Sequence, residues 1–208
     1  MLERGERSSE TRELLMRKAL VLFLQRSYGS VSVGDLQQET QVSRGAMYHH
    51  FKGKEELFRC VIDRYLFPVF RLMPDDDGLE GPHPLRDALE RMMTRCEEYV
   101  EGLRQITEHK LNDFAFYRLM VQAEEFYDGF SARVKELVEA ERRAWQRVLN
   151  YAVRAREIHP EVDIDLYITL FSTLQAGLGL HSLFTPTLSM ESFRDVYMRV
   201  YRTILAQG

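Results

Sequence analysis

The sequence predicts an all-α fold of nine helices: an N-terminal three-helix helix-turn-helix unit over residues 1–53 and a larger helical body over 54–208. Three observations carry this. Apolar residues recur at one helical face in stretch after stretch, as Leu15, Ala19, Leu22 and Phe23 do at i, i+4, i+7 and i+8. No stretch alternates apolar and polar residues as a half-buried strand would. Residues 32–51 form two short helical segments with a tight turn between them, the helix-turn-helix arrangement.

The first helix begins at Ser9, after a flexible arm of residues 1 to 8. Glu10 and Glu13 lie near its positive N-terminal end, with Arg17 and Lys18 further on. It stops at Ser27-Tyr28-Gly29, where Gly29 suits a C-terminal cap. Ser32 caps a second helix, Val33 to Glu39, with Val33 and Leu36 inward, and Gln41-Val42 make the turn. Ser43 caps the third helix, Arg44 to His50.

Gly53 breaks the chain, and the fourth helix runs from Lys54 to about Met73, with Pro68 expected to end or bend it. Residues 74 to 84, rich in Pro, Gly and Asp, read as a loop. A long helix then keeps a 3.6-residue rhythm from Leu85 to Leu103. An aromatic region from Leu111 to Phe130 holds a shorter helix that breaks near Asp128-Gly129. The next long helix runs from Ser131 to about Arg156, on a stripe of Val134, Leu137, Val138, Ala144, Trp145, Val148, Leu149 and Ala152. Asp163 caps the eighth helix, which contains Leu166, Leu170, Leu174 and Leu178. The ninth runs from Ser189 to about Ala206 and carries Phe193, Tyr197, Val200 and Ile204.

Composition sets bounds on what such a chain does. Its 208 residues are 45% hydrophobic and 29% charged, which excludes a disordered chain and suits one large or two small domains. Twelve Phe and nine Met point to a large apolar interior, or to one with a cavity. No run of about 18 apolar residues exists, so no membrane span is expected. The charged stretch Met1 to Arg7 lacks an apolar signal core, and a cytoplasmic protein is expected. Cys60 and Cys96 each fall inside an apolar helical pattern and read as buried free thiols rather than disulfide partners or metal ligands. The net charge of −4 is unevenly spread: residues 1–60 hold ten Lys and Arg against eight Asp and Glu, and the remainder eighteen against twenty-four. The basic excess sits where the helix-turn-helix sits.

The third helix has the properties of a major-groove reader. Its N-terminal end must be slim for the backbone to approach base edges, and Gly45 and Ala46 make it so. Ser43 can cap or contact phosphate, and Arg44 can donate to guanine or to phosphate. Tyr48 and His49 project from the exposed face, while Met47 and Phe51 share the face that pins the helix to its domain. Ser32 and Val33 open the supporting helix toward the same duplex. Lys52 and Lys54 flank the turn and are expected to hold phosphates, with the fourth helix's N-terminus beside them.

The run Val33-Gly34-Asp35-Leu36, followed by the unbroken stretch from Val42 through Tyr48-His49-His50-Phe51-Lys52-Gly53-Lys54 to Leu57, resembles the tetracycline-repressor (TetR) family of bacterial transcription regulators. The resemblance is close over residues 9 to about 65. Beyond that it rests on the nine-helix pattern and the Ile158-His159-Pro160…Asp163 junction. Gln38, Glu39, Thr40 and Gln41 depart from the small or apolar stretch usual in that family, and Gly34 weakens the second helix by about 1 kcal/mol relative to Ala.

One such unit reads only a short half-site, so a two-fold homodimer on palindromic double-stranded DNA is expected. The eighth helix offers Leu170, Thr173, Leu174, Gly177 and Leu178, with Ser172, Ala176 and Gly179 small enough for close approach. The ninth offers Phe193, Tyr197, Val200 and Ile204, and the alternative for this stripe is an intrachain core face. The resemblance implies a body that binds a small hydrophobic ligand and changes the spacing of the two heads. Met92, Met93, Cys96, Tyr99, Phe114, Tyr117, Phe126, Trp145 and Leu174 are the candidates to line its pocket. Core packing is the competing role for each, and a regulator with no small ligand is the competing function.

His109 and Asp113, and Glu97 and Glu101, are each four apart, but no third and fourth ligands converge on either pair, so no metal or cofactor is expected. No glycine-rich phosphate loop, nucleophile elbow or His-Glu-x-x-His supports an enzyme.

Overall fold

The computed structural model describes residues 4–73, 80–109, 111, 114–185 and 189–206. Among them the chain forms nine α-helices and no strand. The helices are α1 (Arg4–Gln25), α2 (Val33–Thr40), α3 (Arg44–His50), α4 (Lys54–Val61), α5 (Pro84–Ile106), α6 (Tyr117–Phe126), α7 (Phe130–Arg154), α8 (Ile164–Ser182) and α9 (Met190–Leu205).

Local chemistry sets most starts. The Ser32 hydroxyl accepts from the Asp35 N–H at 3.1 Å while the Asp35 carboxylate takes the Ser32 N–H at 2.7 Å, a closed capping box. The Ser32 hydroxyl also donates to the Asp35 carboxylate at 2.5 Å, and this bond with that from the Ser32 N–H holds the carboxyl below its usual range. The Ser43, Asp163 and Ser189 side chains cap α3, α8 and α9 on the N–H three residues on, at 3.2, 3.0 and 3.1 Å. Gly129, at φ +79°, makes the left-handed break between α6 and α7.

Four expectations are corrected. Helix α1 starts at Arg4, so the arm expected over residues 1 to 8 is helical from residue 4. Its end is not a glycine cap. Gly29 lies inside a 3₁₀ turn, Tyr28–Ser30, outside the left-handed region, and the left-handed cap belongs to Gln41 at the end of α2, at φ 57° and ψ 17°. A side chain there costs about 1 kcal/mol or more. Gln41→Gly is therefore expected to stabilise the protein by about 0.5–1 kcal/mol after glycine's unfolded-state entropy is charged against it, read as a higher denaturation midpoint.

The fourth helix is not one rod to Met73. It ends at Val61, widens into a π-helical turn at Ile62–Leu66, and tightens into a 3₁₀ turn at Phe67–Arg71. Pro68 stands at the start of the 3₁₀ turn, where it lacks an N–H and its ring crowds the preceding turn, so no regular helix runs through it. The backbone carbonyls of this connector are taken up by the body. Tyr99 Oη donates to the Tyr65 carbonyl at 2.5 Å, Gln175 Nε2 to that of Val69 at 3.3 Å, and an Arg95 guanidinium nitrogen to that of Met73 at 2.9 Å.

The fourth correction concerns the thiols. Cys96 is buried, but Cys60 is only half-buried and lies 3.3 Å from the Arg12 guanidinium.

One continuous core runs through the molecule. In the body it is a column of aromatic rings. Tyr99 meets Phe116, Phe116 meets Phe114, and Phe114 meets Phe193. Phe193 then packs on Tyr197, Tyr197 on Phe171, and Phe171 stacks on Trp145 at 4.5 Å. Rings from α5, α7, α8, α9 and the approach to α6 are thereby joined, and such ring pairs add about 0.5–1.5 kcal/mol each beyond area burial.

A candidate nucleic-acid interface and its joint to the body

The two short helices α2 and α3 pack on α1 by burying a narrow set of side chains. Leu36, Met47 and Phe51 are each at or below 1% exposed, and Met47 and Phe51 anchor α3 from one face. The opposite face is then free. Ser43, Arg44, Gly45, Tyr48 and His49 are exposed, and Ala46 is half-buried between them. The Arg44 guanidinium sits over the Tyr48 ring at 5.7 Å, which extends both side chains from the same surface. Ser32 is exposed and Val33 half-buried at the start of α2. No Cβ-sized obstacle lies within 4 Å of Gly45, so its value here is slimness. His50, half-buried, is held toward its neutral form by burial, His49 and Arg12, leaving His49 as the outward imidazole.

The turn divides its two lysines. Lys52 is exposed, and its backbone N–H is taken by the Glu56 carboxylate at 2.6 Å. Lys54, expected to hold phosphate, serves as an internal brace in the free chain. Its ammonium donates to the carbonyls of Tyr28 at 2.9 Å and Val31 at 2.8 Å and lies 4.1 Å from the centre of the Tyr28 ring. Burial lowers its pKa. The carboxylates Glu55 and Glu56 also occupy the first turn of α4, where a phosphate was expected. Lys54→Met is expected to lower stability by about 1–2 kcal/mol, from lost charge-assisted bonds, with little change in the salt dependence of any DNA binding. Lys52→Ala should do the reverse and reduce the salt slope by about 1. Unfolding curves and salt titrations of the two variants separate the roles.

Tyr28 is the residue that sequence reading missed. Its ring packs on Phe23, Phe58 and Phe126 at 5.7, 4.6 and 4.7 Å, so α1, α4 and α6 meet on one side chain. No periodicity marks it, because it stands in a turn. Phe126, expected in a ligand pocket, belongs to this joint instead, since its apolar contact there is with Tyr28.

Of the other pocket candidates, Met92, Met93, Cys96, Phe114, Tyr117 and Trp145 are all buried within the body, while Tyr99 and Leu174 are half-buried. Tyr99 and Tyr117 spend their hydroxyls on backbone carbonyls, Tyr117 on that of Gln175 at 2.9 Å. Burial raises the pKa of both phenols. A surface groove of about 300 Å³ between the connector and α7 is lined by Phe70, Met73, Leu137, Ala144, Glu141 and the arginines Arg71 and Arg147. Glu141 accepts from the Trp145 indole N–H at 3.2 Å, and burial raises its pKa.

The supposed dimer stripe splits in two. Phe193, Tyr197 and Ile204 are 3%, 0% and 0% exposed, so these three belong to the chain's own core and offer no partner surface. Val200 is half-buried at its edge. Helix α8 turns Tyr167, Ile168 and Phe171 inward, and that leaves its leucines outside: Leu166, Leu170 and Leu180 are 49%, 36% and 51% exposed. Thr173 and Gly177 are exposed beside them, and Leu174 and Leu178 half-buried.

Of the two pairs weighed as metal ligands, Glu97 is bonded to Arg194 at 2.8 Å and Glu101 to Arg104 at 3.3 Å. Asp113 lies outside the described residues. No group of three or more His, Cys, Asp or Glu side chains suited to a metal occurs among the described residues. No described helix is long and apolar enough to cross a membrane.

Fold and surface together define a helix-turn-helix head on an all-helical body. Residues 15–61 match the model of bacterial regulatory proteins of the tetR family. The transcriptional repressor BepR of Brucella suis is 29% identical over 98 residues, 47% of each chain. The transcriptional regulator AcrR of Shigella flexneri is 29% identical over 145 residues, 65% of this chain and 67% of that one. The chain thus spans about half of BepR and two thirds of AcrR. Among solved structures, the SmeT–triclosan complex superposes with a TM-score of 0.66 at 19% identity, covering 95% of this chain and 91% of SmeT. These likenesses support a transcriptional regulator of the TetR type, with the family match itself confined to the head, residues 15–61.

Proposed function

We propose that this protein is a transcriptional repressor that acts in the cytoplasm, binds a palindromic operator as a homodimer, and is released by a small apolar or aromatic ligand. The observation that carries the reading is the division of α3: Met47 and Phe51 are buried to fix the helix, while Arg44, Tyr48 and His49 stand clear on a slim outer face. The curated name of BepR as a repressor supports the sign of regulation. The SmeT complex with triclosan shows a small molecule held by a protein of this fold. Ligand binding would favour a body conformation in which the two α3 helices no longer match major grooves about 34 Å apart.

The aromatic column gives the second reading its footing. Rings from Tyr99 to Trp145 touch in sequence, so a ligand entering among them must first part them, and a regulator answering to a protein partner would need no such opening.

The experiment is a gel-shift series in rising salt. Log affinity for operator DNA should fall linearly and steeply with log salt concentration. Arg44→Ala should cost about 1–3 kcal/mol and relax preference at one base pair, while binding to non-specific DNA changes little. An unchanged preference would remove Arg44 as a base reader, and no shift with any duplex would remove the DNA-binding reading itself.

A further inference from the structure

Helix α6 grips the corner between α1 and α2 through one amide. Gln122 Oε1 accepts the Tyr28 N–H at 2.8 Å, and Gln122 Nε2 donates to the Phe23 carbonyl at 2.9 Å. Arg118, one turn earlier on α6, donates to the Leu24 carbonyl at 3.4 Å. These are groups a helix end leaves without partners: late carbonyls of α1 and the first N–H of the turn after it. The same amide therefore bridges the two strands of backbone that enter and leave the corner. Tyr28 is also held from the α4 side, by Lys54 at its carbonyl and by the Phe58 ring.

The far end of α6 is fixed in the body. Tyr117, its first residue, lies against Gly179 of α8 and donates to the Gln175 carbonyl. A ten-residue helix thus has one end seated on α8 and its middle clamped to the head. Van der Waals contact alone would let the head rock about Tyr28. Two hydrogen bonds to opposite sides of the corner, from one planar amide, fix its rotation as well.

We infer that Gln122 is a positioning residue that sets the orientation of the helix-turn-helix head on the body, and through it the half-site spacing the protein accepts. This rests on the DNA-binding reading above. The mechanism is geometric: Gln122 lies on α6, away from the exposed face of α3, so it cannot alter which bases are read, only where each head is held.

The test uses the full chain. Wild type, Gln122→Met and Gln122→Glu are each taken through selection from a random duplex library. Affinities are then measured for one half-site and for paired half-sites at stepped spacings. Met keeps the side chain's length and removes both bonds; Glu keeps the acceptor for the Tyr28 N–H and removes the donor. The expected result is the wild-type half-site motif and single-half-site affinity in all three. The preference for a single spacing should be lost in Gln122→Met and partly retained in Gln122→Glu. A wild-type spacing preference in Gln122→Met overturns the proposal. So does a parallel loss of half-site affinity and spacing preference in both variants, which would mean that the head has merely loosened. If wild type enriches no motif, the DNA-binding reading falls and this inference with it; failure of the inference alone leaves the wild-type motif in place.

Discussion

Gly179→Ala is expected to destabilise the protein by about 2–4 kcal/mol, read as a lower denaturant midpoint at unchanged slope. A methyl carbon at Gly179 would fall on the Tyr117 ring edge, onto its Cζ, Cε2 and Oη atoms, so the ring must move. It has little freedom to do so. Its hydroxyl is bonded to the Gln175 carbonyl at 2.9 Å, and its ring packs on Phe116 at 4.6 Å. Overpacking of this kind costs about 1–3 kcal/mol, and the broken buried hydrogen bond adds about 1–3 more. Alanine's better helix propensity returns only about 1. The same helix holds its own control. Gly177 has open space around the missing Cβ, so within one chain Gly177→Ala should be neutral or stabilising by about 0.5–1 kcal/mol. Removing the obstruction should rescue the first variant: Tyr117→Ala with Gly179→Ala should cost less than the sum of the two changes. A neutral Gly179→Ala would mean that Tyr117 does not lie over α8.

Gly179 and Gly177 also show where the sequence was legible and where it was not. Both stand out as small residues in an apolar run, and helix α8 was placed correctly with its Asp163 cap. Its facing was not. Periodicity finds an apolar stripe, but α8 is apolar on nearly every side, so leucines at 166, 170 and 180 and aromatics at 167 and 171 compete for the core. The rings win because Trp145 and Tyr197 offer them stacking partners from α7 and α9, contacts that no local pattern announces. The capping side chains at Ser32, Ser43 and Asp163 were legible for the opposite reason: each acts on an N–H only three residues away. Lys54 lies between these cases. A lysine beside a turn reads as solvated, and the carbonyls of Tyr28 and Val31, 26 and 23 residues earlier, turn it inward. Pro68 announced a bend in the fourth helix, but not that Tyr99, 34 residues after Tyr65, takes the Tyr65 carbonyl within the π-turn.

With the ninth-helix rings committed to the interior, the outer leucines of α8 carry the dimer proposal, and Leu170→Glu is expected to abolish the dimer. Leu166, Leu170 and Leu180 are exposed along one side of the helix, with the exposed Phe184 just beyond its end at 78%. A row of large apolar groups left in water over several turns is the kind of patch that marks a protein–protein surface. In a two-fold interface the same patch meets itself, so one substitution introduces two carboxylates. Each must be desolvated on association, at several kcal/mol per ion. That exceeds what most interfaces of ordinary size can offset, and the equilibrium should pass to monomer. The chain's own fold should survive, because Leu170 is already 36% exposed within it. Sedimentation should therefore give half the wild-type mass with an unchanged helical circular dichroism spectrum. Affinity for a palindromic duplex should fall to that for a single half-site, since the second contact is no longer intramolecular. A Leu170→Glu chain that still sediments as a dimer would move the seam off α8. One that becomes monomeric yet binds the palindrome as tightly as wild type would show that the two heads do not act together.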